Sequence, residues 1–238
     1  NSFNYSQKYI FLDYLRKQYV PRRLNELKIH NLDELYENVL VSNETIKNYI
    51  ADFEDMMQIV YLENESVLDK YENIVFENGQ GLLLDQHNLD YFPHLTPSNT
   101  GIKNPIDVLE DYGYKGDVEA CYVTRTYMTR HGIGRFDTEC DKSEINPNMI
   151  DMTNVPNPFQ DNLRYGKLDV YNFTYEIAHD ISSIESKDIV VIPKIALTHI
   201  NEYKDFPRFL TRQTTYGSNG ITRQNVYKTN GNEIIGLL

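Results

Sequence analysis

The sequence predicts an α/β protein: a mostly parallel central sheet flanked by helices, with a helical layer contributed by its N-terminal part. Three observations predict it. Apolar residues recur at helical spacing through the first 70 positions. The run Ile189-Val190-Val191-Ile192 is short, β-branched and uninterrupted, as expected of a parallel strand covered on both faces. Between them, Ile74-Val75-Phe76 leads through Glu77-Asn78-Gly79-Gln80-Gly81 into Leu82-Leu83-Leu84-Asp85. Strand, glycine turn and second apolar run are the grammar of an α/β sheet that holds a ligand at its strand ends.

The helical part divides in three. Tyr9, Ile10, Leu12 and Leu15 open it, with a break expected at Pro21. Leu32, Leu35, Tyr36, Val39 and Leu40 form a second run. Ile46, Tyr49, Ile50, Phe53, Met56, Met57 and Val60 form a third, one stripe at i, i+3, i+4 spacing, capped by Ser42 or Asn43. The Met pair is expected in a core. Further strands are expected at Cys121 to Arg130 and Asp188 to Leu197, and a helix from Leu168 to Ile184. Residues 141–163 read as loop, being rich in Asn, Asp and Pro. Residues 208–216 and 224–228 are expected to pair as a hairpin across Gly217-Ser218-Asn219-Gly220. The organisation is thus a helical segment, 1–70, and an α/β portion, 71–238, packed as one unit with it.

Composition narrows the function. Against 23 basic residues stand 35 acidic ones, a net charge of −12 over 238 residues. That balance argues against a nucleic-acid partner, which needs a basic face, and leaves room for a local positive pocket. No stretch approaches the ~18 to 20 apolar residues of a membrane helix, so no membrane partner is expected. Two cysteines, Cys121 and Cys140, make neither a disulfide framework nor a metal knuckle; a reducing, cytoplasmic home is the simplest reading. The chain opens on Asn-Ser-Phe-Asn-Tyr-Ser, without an initiator Met or a signal peptide, and reads like the interior of something longer.

Four segments carry candidate chemistry. In Phe76 to Gly81, glycines at a strand end let backbone N–H groups approach a ligand, and Gln80 offers both donor and acceptor; a tight turn would use the same glycines. Leu95-Thr96-Pro97-Ser98-Asn99-Thr100 packs hydroxyls and amides into a loop suited to phosphate oxygens, or into an ordinary polar turn. Thr129-Arg130-His131-Gly132-Ile133-Gly134-Arg135-Phe136 sets two arginines about a flexible loop, with His131 as a base or a solvent-facing donor. Leu163-Arg164-Tyr165-Gly166-Lys167-Leu168-Asp169 adds a further Arg, which otherwise reads as a surface residue at a helix start.

Taken in order, these segments resemble adenylosuccinate synthetase, the GTP-dependent ligase family that joins aspartate to IMP. The family's Phe-Glu-Gly-Ala-Gln-Gly-x-Leu-Leu-Asp segment appears as Phe76 to Asp85. Its Tyr-Pro…Val-Thr-Ser-Ser-Asn-Thr segment appears as Phe92 to Thr100, and its Thr-Arg-Val-Gly-x-Gly-Pro-Phe-Pro-Thr-Glu segment as Thr129 to Glu139. The likeness runs from about residue 5 to about 228. It implies that Gln80, Gly81 and Thr96 hold IMP, and that Arg164 reaches toward the aspartate and the nucleoside triphosphate. It places the triphosphate's base against His199, Asn201, Gly217 and Ser218. It implies Mg²⁺ as cofactor, GTP or ATP as co-substrate, and a homodimer.

Two departures are visible. The family's aspartate loop, Thr-Thr-Gly-Arg, falls on Phe159-Gln160-Asp161-Asn162, so Gln160 and Asn162 are the amino-acid candidates and no guanidinium fork stands there. The family's Leu-Thr-Lys-Leu-Asp becomes Leu197-Thr198-His199-Ile200-Asn201. Asn201 presents one acceptor and one donor, and suits an adenine edge as well as guanine. These departures resemble the phage-type branch that acts on dGMP with ATP. Nowhere do the 238 residues carry the family's Gly-Asp-Glu-Gly-Lys-Gly loop, with its catalytic Asp and metal anchor, or its Asn-Ala-Gly-His segment. Without them, no catalytic residue or metal ligand is expected in this chain, Arg164 supporting only, and the chain alone is expected to be inactive. The expectation is a C-terminal portion of such a ligase; the alternative is a non-catalytic nucleotide-binding or interaction protein that keeps this part of the fold.

Overall fold

The computed structural model describes residues 3–32, 38–39, 42–61, 63–149, 154, 162–207 and 210–229. It divides the chain into two units, Asn1–Asn64 and Glu65–Leu238.

In the first unit, Asn4 caps helix α1 (Tyr5–Tyr14) through a reciprocal capping box. Its side chain accepts from the Gln7 N–H at 3.0 Å, and the Gln7 side chain accepts from the Asn4 N–H at 2.9 Å. The expected break at Pro21 does not occur. A π-helical turn, Leu15–Tyr19, carries the chain into α2 (Val20–Glu26), with Pro21 in its first turn. The wider turn lets the Val20 N–H reach the Leu15 carbonyl, and a proline in a first turn needs no N–H acceptor. Helix α3 (Asn43–Met56) follows, N-capped by Ser42 without a side-chain bond, and buries Ile46 and Ile50. Met56 is exposed, so the Met pair is not core there. Lys8 of α1 pairs with Glu54 of α3 at 3.1 Å and lies over Phe53. The second expected run falls largely outside the described residues.

The second unit opens with a 3₁₀ turn, Glu65–Lys70. Ile74-Val75-Phe76 is a correction: it forms no ladder among the described residues, and Val75 is 89 % exposed. Helix α4 (Lys103–Tyr112) buries Ile106 and Leu109 and ends at Gly113, whose φ of +82° is the usual left-handed helix stop. Strand β1 (Gly116–Arg125) pairs in parallel with β5 (Ile189–Thr198), from Gly116 opposite Ile189 to Arg125 opposite Thr198. Strand β6 (Tyr216–Ser218) adds in parallel to β5, and β7 (Val226–Lys228) adds antiparallel to β6, giving the order β1-β5-β6-β7. The mostly parallel sheet is therefore as expected. The expected hairpin is only partly present: Leu210–Gln213 is a short helix rather than strand, Tyr216 to Ser218 pair with Val226 to Lys228, and Gly217 and Ser218 stand in β6 with the turn beyond them.

The long expected strand is two strands. At Thr126, fully buried, the chain leaves the parallel sheet: its N–H reaches the Thr198 carbonyl at 3.1 Å and its hydroxyl the His199 carbonyl at 3.0 Å. Strand β2 (Tyr127–Arg130) then joins a second, antiparallel sheet with β3 (Glu139–Cys140) and β4 (Arg164–Lys167), in the order β2-β4-β3. Arg164 thus lies on a strand, not at a helix start. A short helix, α5 (Lys142–Ile145), interrupts the expected loop, and α6 (Val170–Ser182) supplies the expected helix. Tyr122, Tyr127, Tyr165, Ile177, Ile195 and Leu197 belong to the main core, between α6 and the sheets. The other face of the parallel sheet is open: Val123 is 67 % and Val190 57 % exposed, so β5 is not covered on both faces here.

Candidate functional site

The four sequence segments come together through a continuous set of hydrogen bonds. The first two are zipped by backbone. Thr96 N–H donates to the Leu84 carbonyl at 2.8 Å, and Gln86 N–H to the Ser98 carbonyl at 3.1 Å. The Thr100 hydroxyl donates to the Gly81 carbonyl at 3.1 Å, and its N–H to the Asp85 carboxylate at 2.7 Å. Arg130 joins the second segment to the third, donating through Nη2 to the His94 carbonyl and to the Ile133 carbonyl, each at 3.2 Å. Arg164 joins the third to the fourth. Its Nε and Nη2 chelate Glu139 at 2.7 and 2.5 Å, and its Nη1 reaches the Gly132 and Gly134 carbonyls at 3.0 and 2.9 Å.

The backbone at Gln80 is unusual. Gln80, not a glycine, takes the left-handed conformation, at φ +71°. Gly79 and Gly81 sit at ordinary φ, and a Cβ on either would meet nothing within 4 Å. Neither glycine is required by the turn or by crowding. The Gln80 side chain is exposed and makes no hydrogen bond among the described residues. The strain at Gln80 is thus not relieved by any contact of its side chain among the described residues.

Electrostatics follow the same contacts. The hydrogen-bonded Arg164 guanidinium holds Glu139 below the usual carboxylate range, and Glu139 raises Arg164 in return. Burial, then the charge of Arg164, pushes Arg130 down; it has no carboxylate partner among the described residues. Arg135 is answered by Asp137 and lies over the Tyr91 ring. Glu139 escaped the sequence reading because its pairing with Arg164 depends on the β3–β4 register, which no local pattern reveals.

The second group of predicted residues gathers at the C-terminal end of the parallel sheet, where α/β sheets hold their ligands. His199 follows β5 in a left-handed conformation, φ +58°, with its ring edge-on to Tyr127 at 5.9 Å. The Ile200 N–H reaches the Ser218 carbonyl at 3.2 Å, tying the 199–201 turn to β6. Gly217 must be glycine: a Cβ would stand 2.7 Å from the Tyr227 ring. Ser218 is buried and donates to the Gly220 carbonyl at 3.1 Å. Asn201 is exposed beside a cleft of about 320 Å³ between residues 144–147, at the end of α5, and the turn 201–205. The Tyr127 hydroxyl, pushed far up by burial, donates to Glu202 at 2.6 Å on the same side.

Strand β2 connects the two groups. Tyr127 touches His199 at one end and Arg130 grips the loops at the other, three residues or about 10 Å away at ~3.4 Å per residue. Asn162 is described and exposed, while Gln160 lies outside the described residues. No three His, Cys, Asp or Glu side chains converge as a cation site among the described residues. Among them, too, no helix is long and apolar enough to cross a membrane.

Comparison with known proteins gives the same direction. The chain is 32 % identical over 118 residues to an adenylosuccinate synthetase of Thermosipho africanus, a match covering 47 % of this chain and 28 % of that protein. A Francisella philomiragia adenylosuccinate synthetase is 28 % identical over 130 residues, 54 % of this chain and 28 % of its own. One from Clostridium perfringens is 32 % identical over 116 residues, 47 % of this chain and 24 % of its own. The matched stretch thus spans about a quarter of the relatives' length. A family model for adenylosuccinate synthetase matches residues 8–190. The chain belongs to the adenylosuccinate synthetase family.

Proposed function

We propose that this chain supplies the nucleotide-binding walls of an adenylosuccinate synthetase-type ligase, which forms a C–N bond between an amino acid and a purine nucleotide. Gln80, Gly81 and Thr96 receive IMP. His199, Asn201, Gly217 and Ser218 receive the base of GTP or ATP, and Arg164 stands at the loop end of the second sheet, opposite Arg130, where its charge reaches toward the transferring phosphate and the amino acid. Gln160 and Asn162 are the residues that the family likeness assigns to the amino acid. The observation that carries this reading is the left-handed Gln80 between two uncrowded glycines, joined by backbone bonds to the Thr96 loop.

The separation of the two groups along β2 suits the reaction's order. The γ-phosphoryl must pass from a triphosphate, whose base lies near His199, to a purine held by the loops around Arg130. Such transfer rests on positioning and charge neutralisation. Arg164 is committed to Glu139 and to the glycine loop, so it acts chiefly by holding that loop and by its charge.

The 238 residues carry no Gly-Asp-Glu-Gly-Lys-Gly loop, the segment on which the family's base, metal anchor and phosphate cradle stand. On this reading those three come from elsewhere in the active assembly, which we place in the cytoplasm as a homodimer. These residues alone do not turn over, since each missing acid–base group is worth ~10² to 10⁴ in rate. Calorimetric titration with IMP, GTP and ATP tests the binding, and a coupled assay for the succinyl nucleotide tests the chemistry. We expect saturable binding of IMP, and of GTP or ATP, with no turnover. Absence of all nucleotide binding refutes the reading, and clear turnover refutes the inactivity. Preference between GTP and ATP reports directly on Asn201, and a preference for dGMP over IMP marks the phage-type substrate.

A further inference from the structure

We propose that Arg130 is a positioning residue for nucleotide binding. It ties the loop that carries Thr96 to the Gly132–Gly134 loop, and the Thr96 hydroxyl meets its ligand only while that tie holds. The inference rests on the reading above and extends it to a residue outside the contact set given there.

Arg130 closes β2 opposite Arg164 of β4, so two guanidiniums leave the sheet side by side. They are spent differently. Arg164 has a carboxylate, whereas Arg130 gives its donors to main-chain oxygens of two separate loops. Nη2 reaches the His94 carbonyl and the Ile133 carbonyl at 3.2 Å, and Nε reaches the Ile133 carbonyl at 3.4 Å. His94 lies two residues before Thr96, whose own N–H is held by the Leu84 carbonyl at 2.8 Å. The short segment 94–96 is therefore fastened at both ends, to the Gln80 loop through Leu84 and to the glycine loop through Arg130.

The glycine loop is shaped for this grip. Gly134 lies at φ +118°, and a Cβ there would stand 2.4 Å from Arg130 Nη2 and 2.9 Å from the His94 side chain. The rigid, planar fork of an arginine can bridge two fixed carbonyls, whereas a lysine carries a single point of charge at the end of a flexible stem. Geometry rather than charge is then what the position requires.

The test is a double-mutant cycle on IMP affinity, measured by calorimetry on the whole chain, with Arg130→Met, Thr96→Val and the pair. We expect Arg130→Met and Thr96→Val each to weaken IMP about tenfold, and the pair to be no more than about twofold weaker than the worse single variant, because both remove one contact. Arg130→Lys should stay near Arg130→Met. Fully additive losses, or full rescue by Arg130→Lys, overturn the inference. Hydrogen exchange at the Thr96 amide is read without ligand. It should quicken at least tenfold in Arg130→Met at unchanged melting temperature, and unchanged exchange also overturns the tie. Where Arg130→Met does not melt cooperatively, Arg130→Lys carries the same cycle. A wild-type chain that binds no nucleotide overturns the functional reading instead, an outcome distinct from wild-type binding with additive variants.

Discussion

Replacing Gln80 by glycine should stabilise the protein and weaken its ligand. Gln80 stands at φ +71°, where a residue with a Cβ loses roughly 1–2 kcal/mol. Its side chain is exposed and makes no hydrogen bond among the described residues, so its removal forfeits little packing. Glycine relieves the backbone cost and gives back about 0.5–1 kcal/mol through the greater freedom of the unfolded chain. The difference is a gain of about 0.5–1 kcal/mol. With a urea m-value of ~2 kcal/mol/M, the midpoint rises by about 0.4 M at constant slope. Gln80→Ala keeps the strain and loses the amide, so its midpoint should move by less than about 0.25 M. Both variants should bind IMP about tenfold more weakly, the worth of one or two lost hydrogen bonds. Urea melts followed by circular dichroism give the first quantity and calorimetry the second. A lower midpoint for Gln80→Gly, or wild-type IMP affinity in both variants, refutes the view that the left-handed glutamine is held for a ligand.

Two further predictions concern the scaffold. The Asp180 carboxylate accepts the Tyr122 hydroxyl at 2.7 Å and the Ile102 N–H at 3.2 Å, so Asp180→Ala should cost about 2–3 kcal/mol in urea melts at pH 7 by stranding both donors. Burial raises Asp180 above 3.8, so the stability linked to its neutral form is full below that value and lost as pH rises through the folded one; Asp180→Asn should flatten this slope just above pH 4, and an unchanged slope refutes the assignment. Glu139 is shifted the other way, by its bond to Arg164. Its contribution is present above 4.5 and lost as pH falls through the depressed value. The pair is half exposed, so Glu139→Gln should cost no more than about 1 kcal/mol, and a much larger loss would place the pair in the core.

What the sequence could and could not show follows from the range of each interaction. The parallel strand Ile189 to Thr198 and the helix Val170–Ser182 are written in local pattern, and both stand where expected. Ile74-Val75-Phe76 has the same local pattern and forms no ladder, because a strand needs a neighbour and apolar character alone does not provide one. Pro21 shows a related limit: whether a proline breaks a helix depends on the turn before it, here a π-helical one. In the candidate site, residue types were legible and their employment was not. Arg130, Arg135 and Arg164 all read as one positive pocket. The β3–β4 register, with Glu139 opposite Gly166, brings Glu139 within reach of Arg164, and a local pair gives Arg135 to Asp137, leaving Arg130 of the three without a carboxylate among the described residues. The unit of function on this fold is therefore not the arginine count but the choice of partner each arginine makes, and that choice is set by which strands lie side by side.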